Sequence, residues 1–305
     1  MRGNTNWQVT EIFKEIKQIG ESKHQAKNQA RADGARGSHE IAQRTGIYGI
    51  NTIDNYRNAV VGFGTWAKEN AGLKDLTKTT AEQVKSYLSS RIADQVAHKT
   101  FQSEKSALNK LETALNKYSQ THGLNKVYDF KLNEAFKSQH KNLQHSDVRA
   151  YDKKDVEKLL SSIKNPAVNL AVRLAAGAGL RKSEILKLSE KNLGNGKIEV
   201  VGGKGGKDRI VSQIHDKSLI ADVRNFLKEN NLSKLGDAVS SSKINNEIRA
   251  TLGNTGSIHS LRHNYAIDTI KTFEKQSFYH VEAVHYTSVE VGHNRNEIIT
   301  GVYSK

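Results

Sequence analysis

Six residues in the second half of the chain have side chains that could act together on a phosphodiester. Guanidinium groups can hold phosphate oxygens, a phenol can attack phosphorus, and lysine and histidine can transfer protons. In chain order the six residues are Arg181, Lys204, His259, Arg262, His293 and Tyr303. This combination predicts phosphoryl-transfer chemistry with Tyr303 as the candidate nucleophile.

Arg181 lies where a glycine-rich break, residues 177–179, meets a predicted helix. The planar guanidinium group of an arginine matches the oxygens of a phosphate in shape and charge. Glu184, one helical turn later, could orient that guanidinium group or a histidine. An acidic residue is also common in the first turn of a helix, where it favours the helix dipole. The sequence leaves both interpretations of Glu184 open.

Lys204 lies in the glycine-rich run 202–206, between two short β-rich stretches. This pattern predicts a β-hairpin with a flexible tip, which could enter a groove of DNA. An ammonium group at the tip could approach a leaving oxygen. Lys207 and Arg209 are alternatives to Lys204, and either could contact only the DNA backbone.

His259 and Arg262 are three residues apart at a predicted helix start, so both could face one phosphate. His263 points away from the face that those two share and is predicted to be structural. His293 follows a glycine and could donate a hydrogen bond to a phosphate oxygen. Because a phenol has an ordinary pKa of about 10, Tyr303 needs nearby arginines and a base to attack.

The composition favours a polyanionic partner and excludes several kinds of chemistry. The chain has 305 residues, a net charge of +15 and no cysteine. The positive charge makes nucleic acid the default partner. Without cysteine there can be no disulfide, no zinc–thiolate site and no cysteine nucleophile. No apolar run is long enough to span a bilayer, and we predict a soluble protein of the cytoplasm.

The chain separates into three segments by composition and periodicity. Residues 1–45 are polar, and their basic side chains belong either to a solvated helix face or to a DNA-contacting arm. The basic residues predicted to contact DNA there are Lys23, Lys27 and Arg31. Apolar residues at helical spacing predict a small helical bundle over residues 46–124, and the polar, basic residues 125–150 predict a linker.

The motifs Gly-Leu-Arg-x-x-Glu, Gly-Lys-Gly, His-x-Leu-Arg-His and Gly-His, followed by a late tyrosine, resemble the tyrosine recombinase, or phage integrase, family. Each motif is weak alone, but their order is specific. The resemblance covers the chain from about residue 151 onward. It implies a mainly α fold with a small β-hairpin, arranged as a two-domain DNA clamp. We expect an N-terminal helical extension (1–45), a helical core-binding domain (46–148) and an α+β catalytic domain (149–305).

The resemblance also implies a role for each candidate residue. Tyr303 would attack a DNA phosphate, forming a 3′-phosphotyrosyl bond and freeing a 5′-hydroxyl. Lys204 would protonate the leaving 5′-oxygen, and His259 would help to take the proton of the tyrosine.

Three further residues would stabilise the charge on the pentacoordinate phosphorus: Arg181, Arg262 and His293. Glu184 would support them. The phosphotyrosyl bond conserves the energy of the cut phosphodiester, so the resemblance implies rejoining without ATP, metal or any other cofactor.

The implied partners are double-stranded DNA with specific recombination sites, further copies of the chain in a homo-tetramer on DNA, and accessory DNA-bending factors. Such a protein would be associated with the nucleoid. Two alternatives remain from the sequence: relaxation of DNA by a type IB topoisomerase-like activity, and a catalytically silent DNA-binding regulator on the same scaffold.

Overall fold

The computed structural model describes residues 1–136, 138–144, 150–203, 206–253 and 256–293. The chain divides into two compact units, Met1–Ser146 and Asp147–Lys305, and each has its own hydrophobic core. The division falls next to the boundary that the sequence predicts between residues 148 and 149. The functions assigned to the predicted segments stay predictions.

The part of the first unit that the structure describes is built from helices. These are α1 (Thr5–Lys14), α2 (Lys23–Ala32), α3 (Gly37–Gln43), α4 (Ile50–Ala71), α5 (Ala81–Ala93), α6 (His98–Thr121) and α7 (Leu132–Ala135), with 3-10 turns at Leu76–Lys78 and Gln139–Asn142. Helices α4 and α6 pack against each other, and α1 packs against both. Phe13, Phe63 and Leu111 are among the fully buried side chains of this core. Helix α1 is therefore part of the first unit's own core.

Local sequence signals set the ends of these helices. The Thr80 hydroxyl group accepts a hydrogen bond from the Gln83 amide at 3.3 Å, and the Gln83 side chain accepts one from the Thr80 amide at 3.0 Å. This reciprocal capping box begins α5. Helix α4 ends at Gly72, whose φ of 62° is left-handed.

The prediction of a linker over residues 125–150 is wrong for much of that segment. Its apolar side chains are buried in the core of the first unit: Tyr128, Phe130, Leu132, Phe136 and Leu143. Apolar and charged residues alternate from 128 to 132, and the buried side chains alternate in the same way. That period of two indicates an extended segment with one buried face, which the basic composition of the region concealed.

The described part of the second unit is also mainly helical and includes a short hairpin. Its elements are α8 (Lys153–Ser162), α9 (Pro166–Ala178), α10 (Lys182–Lys187), β1 (Ile198–Val200), β2 (Arg209–Val211), α11 (Leu219–Glu229), α12 (Ser241–Leu252), α13 (Ile258–Lys275) and α14 (His280–Glu290), with 3-10 turns at Glu190–Asn192 and Leu235–Asp237. Strands β1 and β2 pair antiparallel, with Glu199 opposite Ile210. The predicted mainly α fold with a small hairpin is confirmed. None of the helices in the described ranges combines the length and the apolar composition needed to cross a membrane.

Candidate phosphate-binding and catalytic site

The end of α9 places Arg181. The helix begins with a cap, in which the Asn165 side chain accepts from the Val168 amide at 3.1 Å and Pro166 follows. It ends at Gly179, whose φ is +60°. A Cβ atom at Gly179 would lie 2.2 Å from Cδ1 of Tyr265, so only glycine lets the chain pass this ring. Arg181 then becomes the N-cap residue of α10.

The Glu184 carboxylate binds two guanidinium groups at once. Arg181 donates to it from its amide nitrogen and from Nη1, each at 2.8 Å. Arg209 donates from Nη1 and Nη2, also at 2.8 Å each. The carboxylate is only 5% exposed. Glu184 therefore begins a helix and also orients a guanidinium group, so both interpretations of it apply.

The pKa of Glu184 reflects these partners. Burial by itself raises the pKa of a carboxyl group, because the charged form loses its hydration. The hydrogen bonds and charge of Arg209, with the hydrogen bonds from Arg181, outweigh burial and hold the pKa of Glu184 at about 2. The carboxylate is consequently charged at neutral pH.

Arg262 and Arg181 meet at one backbone oxygen. Arg262 is fully buried in α13 and donates from Nη1 to the carbonyl oxygen of Gly179 and from Nη2 to that of Val291. Arg181 donates from Nη2 to the same Val291 oxygen at 3.2 Å and to that of Gly292 at 3.3 Å. The two arginines of the sequence motifs therefore lie side by side.

His293 follows directly after the two carbonyl oxygens, of Val291 and Gly292, that bind Arg181. Gly292 has a φ of +64°, and a Cβ atom there would lie 2.8 Å from Cδ of Arg209. The amide of His293 donates to the carbonyl oxygen of Ser288 at 2.9 Å, which ends the helix. The Gly-His motif thus provides a left-handed turn and a close approach of the Arg209 side chain.

The two histidines of α13 contact each other. The rings of His259 and His263 lie edge to face with centroids 5.2 Å apart. His259 is exposed and His263 is buried, which agrees with the structural role expected for His263. The hydrogen bonds of the two arginines join Arg181, Glu184 and Arg262 into one cluster. His259 lies against His263.

Two of the predicted catalytic residues, Lys204 and Tyr303, lie outside the described residues. The chain on either side of Lys204 is closed by a hydrogen bond from the Gly203 amide to the Lys207 carbonyl oxygen at 3.0 Å. Lys207 is exposed and lines a cavity of about 600 Å³, together with Arg181 and Arg209. Among the described residues, no group of three or more His, Asp or Glu side chains is placed to hold a metal ion.

Arg209 has partners that differ from the predicted contact with DNA. Its side chain is 7% exposed, is bound to Glu184, and donates from Nε to the carbonyl oxygen of Glu290 at 2.9 Å. Sequence reasoning also missed Glu290, because nothing in its local pattern connects it with strand β2. The only available signal was a charged residue on the buried face of a helix.

The predicted basic residues of the first unit lie on α2. Lys23, Lys27 and Arg31 are spaced four apart and so share one face of that helix. Lys110 of α6 lies close by and donates to the carbonyl oxygens of Ala42 and Thr45. Burial, and then the charges of Lys23 and Lys27, lower the pKa of Lys110 to about 8. The first unit therefore concentrates positive charge on and beside α2.

Comparison with known proteins finds relatives of the second unit. The sequence profile of the family described as Integrase matches residues 146–268. Tyrosine recombinase XerA of Pyrococcus horikoshii is 32% identical over 124 residues, which are 40% of this chain and 40% of that protein. The chain thus matches less than half of the length of that curated relative. Over the matched residues, the chain is similar to the tyrosine recombinase family.

Solved structures share the fold over a longer part of the chain. A crystal structure of the XerH site-specific recombinase bound to a palindromic difH substrate has a TM-score of 0.60 and 17% identity, covering 97% of this chain and 90% of that one. A lambda integrase (75–356) dimer bound to a COC′ core site has a TM-score of 0.57 and 14% identity, covering 92% and 94%. At these identities the likeness concerns the fold.

Proposed function

We propose that this protein is a site-specific DNA recombinase that cuts and rejoins DNA through a 3′-phosphotyrosyl intermediate. The observation that carries the proposal is the meeting of Arg181 and Arg262 at the carbonyl oxygen of Val291, two residues before His293. Two guanidinium groups held side by side form a site for a phosphate that gains negative charge as it reacts.

Each residue has a role in the proposed reaction. Arg181 is 14% exposed and Arg262 is fully buried, so Arg181 supplies the donors that DNA meets first. A guanidinium group has five N–H donors, more than Arg181 uses on Glu184, Val291 and Gly292. Glu184 fixes Arg181 by hydrogen bonds. Its single negative charge is shared between Arg181 and Arg209, so it does not neutralise both of them.

The proton transfers and the nucleophile complete the scheme. The Tyr303 oxygen attacks phosphorus, the phosphorus–5′-oxygen bond breaks, and Lys204 gives a proton to the leaving oxygen. His259 helps to take the proton of Tyr303, and His293 donates to a phosphate oxygen. The 5′-hydroxyl of a partner strand then reverses these steps and rejoins DNA, which needs no metal and no ATP.

The proposed partner is double-stranded DNA that carries specific recombination sites, bound by both units. Helix α2 of the first unit, with Lys23, Lys27 and Arg31, provides phosphate contacts, and Lys207 provides them in the second. We propose that four copies assemble on two duplexes, assisted by DNA-bending factors, and that the protein acts at the nucleoid.

A nicked suicide duplex from the DNA that flanks the gene tests this proposal. Cleavage releases a short fragment, so rejoining is prevented and a covalent protein–DNA band accumulates on a denaturing gel. We expect this band for the wild type and its loss in Tyr303→Phe, with DNA binding retained. A wild type that binds this DNA without forming the band would instead be the silent regulator.

A second assay separates recombination from relaxation. Two duplexes of different length that carry the same site give products of new lengths if strands are exchanged. A type IB topoisomerase-like protein relaxes a supercoiled plasmid but leaves those lengths unchanged. We expect the exchanged products.

A further inference from the structure

Glu290 is a buried carboxylate at the end of α14. It is 7% exposed. Its Oε2 atom accepts from the Ser212 amide at 2.9 Å and from the Gln213 amide at 3.4 Å, and its Oε1 atom accepts from the Ser212 hydroxyl group. The Tyr265 hydroxyl group lies 3.4 Å from Oε2. These donors are neutral, so the carboxylate holds α14 against the chain that follows β2 through directed hydrogen bonds.

The backbone carbonyl oxygens beside this side chain accept hydrogen bonds from three arginines. The carbonyl oxygen of Glu290 accepts from Arg209, that of Val291 from Arg181 and Arg262, and that of Gly292 from Arg181. The position of α14 thus sets where three consecutive carbonyl oxygens lie and where each guanidinium group comes to rest.

Tyr265 connects Glu290 to the other side of the same cluster. Its ring fills the space beside Gly179, whose carbonyl oxygen accepts from Arg262. Its hydroxyl group donates to the carbonyl oxygen of Gln213 at 2.8 Å. A shift of Glu290 would therefore move both of the carbonyl oxygens that hold Arg262, those of Gly179 and Val291.

We propose that Glu290 is a positioning residue of the reaction: it fixes the end of α14 to Ser212, and this places Arg181, Arg262 and His293 in register. The inference rests on the proposed function for its effect on DNA cleavage. The placement of the arginines by Glu290 applies to the protein without DNA as well.

Three variants separate positioning from charge and from bulk stability. In Glu290→Gln the carbonyl oxygen can still accept from the Ser212 amide, and the new NH₂ group can donate to the Ser212 hydroxyl group, so the position is kept without the charge. Glu290→Ala removes all these contacts. Glu112→Ala is the matched control, because Glu112 is also 7% exposed and accepts from neutral donors, Gln43 and the Phe130 amide, in the first unit.

The first measurement is the single-turnover rate of covalent complex formation on the suicide duplex at saturating DNA. Since a displacement of about 1 Å can cost about 100-fold in rate, we expect Glu290→Ala to lose about 10- to 100-fold with its DNA affinity unchanged. Glu290→Gln and Glu112→Ala should stay within about 3-fold of the wild type on the same scale. An unchanged rate in folded Glu290→Ala, or an equal loss in Glu290→Gln, would overturn the inference.

The second measurement does not depend on cleavage. The side-chain Nε–H signals of Arg181, Arg209 and Arg262 in ¹⁵N NMR spectra of the free full-length protein report their hydrogen bonds. Glu290→Ala should move these signals, whereas Glu290→Gln and Glu112→Ala should leave them in place. Ser212→Ala, a milder change, should move them in the same direction if Glu290→Ala fails to fold.

The two measurements distinguish the two possible failures. If the wild type forms no covalent complex, the proposed function is wrong. The NMR comparison would still test whether Glu290 places the arginines. Arginine signals that stay in place in both Glu290→Ala and Ser212→Ala would contradict the inference whether or not the protein cleaves DNA.

Discussion

Arg181 and Arg209 share the carboxylate of Glu184, which accepts four hydrogen bonds of 2.8 Å from them. Arg181 precedes α10 and Arg209 begins β2, so this one carboxylate ties the hairpin to the proposed phosphate-binding residues. Strand β2 pairs with β1, so the attachment at Arg209 reaches both strands of the hairpin.

Glu184→Gln should destabilise the second unit strongly. The substitution leaves two largely buried guanidinium groups without their counter-charge, and we expect a loss of about 3–5 kcal/mol. Glu199→Gln is the control, since its partner Lys197 and Glu199 itself are about half exposed, and it should cost less than about 1 kcal/mol. Both tryptophans, Trp7 and Trp66, lie in the first unit, so fluorescence would not report this change.

Hydrogen exchange of α13 is therefore the measurement for the second unit. Equal exchange in Glu184→Gln and Glu199→Gln would mean that the shared carboxylate contributes nothing to the stability of this unit.

Acid should remove the contribution of Glu184. Its pKa is about 2 in the folded protein, against 4.5 for the ordinary group. Between these values the unfolded chain binds more protons than the folded one, so stability falls as the pH falls. The contribution is complete above about pH 4.5 and is lost on the way down to pH 2. The difference in α13 exchange between wild type and Glu184→Gln should shrink from pH 6 to pH 3, and a constant difference would refute the assignment.

Gly179→Ala should cost more than the same change at another helix end. Gly253 ends α12 with a φ of +73°, and no neighbouring atom of the described residues lies within 4 Å of an added Cβ, so Gly253→Ala measures the left-handed backbone alone, about 1–2 kcal/mol. At Gly179 the Cβ also meets the Tyr265 ring, which adds about 1–3 kcal/mol. The two variants are compared by hydrogen exchange of α13. Equal costs would show that the ring moves aside freely.

The basic face of α2 should contribute to the salt dependence of DNA binding. Each phosphate contact lowers the slope of log K against log salt by about 0.9. We expect Lys23→Gln and Lys27→Gln each to make the slope less steep by about that amount. Lys14→Gln, which removes an ammonium group held by Glu11 at 2.5 Å, is the control. Affinity measured from 50 to 300 mM salt gives the slopes. If Lys23→Gln and Lys27→Gln have the same slope as the wild type and Lys14→Gln, α2 does not contact DNA.

The sequence predicted those parts of the site that depend on short motifs. Asn165 with Pro166 and the hairpin of β1 and β2 follow from local capping and turn rules, and these elements lie where the rules put them. The order of the motifs also pointed to the tyrosine recombinase family, to which the matched residues are similar, although no single motif could do so.

The parts that the sequence did not predict depend on contacts between distant segments. Glu290 binds Ser212, and Arg209 binds Glu184, through side chains whose neighbours in sequence give no sign of the partner. Arg209 therefore resembled a surface cation. The burial of Tyr128 and Phe130 was overlooked for another reason, since their alternation with charged residues is too short to stand out from a polar region.

The most direct test of the central claim is a mass spectrum of the peptide that carries DNA after digestion of the covalent complex with trypsin and nuclease. We expect a nucleotide joined through its 3′-phosphate to Tyr303, with a free 5′-hydroxyl on the released strand. A nucleotide on another residue, or one joined through its 5′-phosphate, would contradict it.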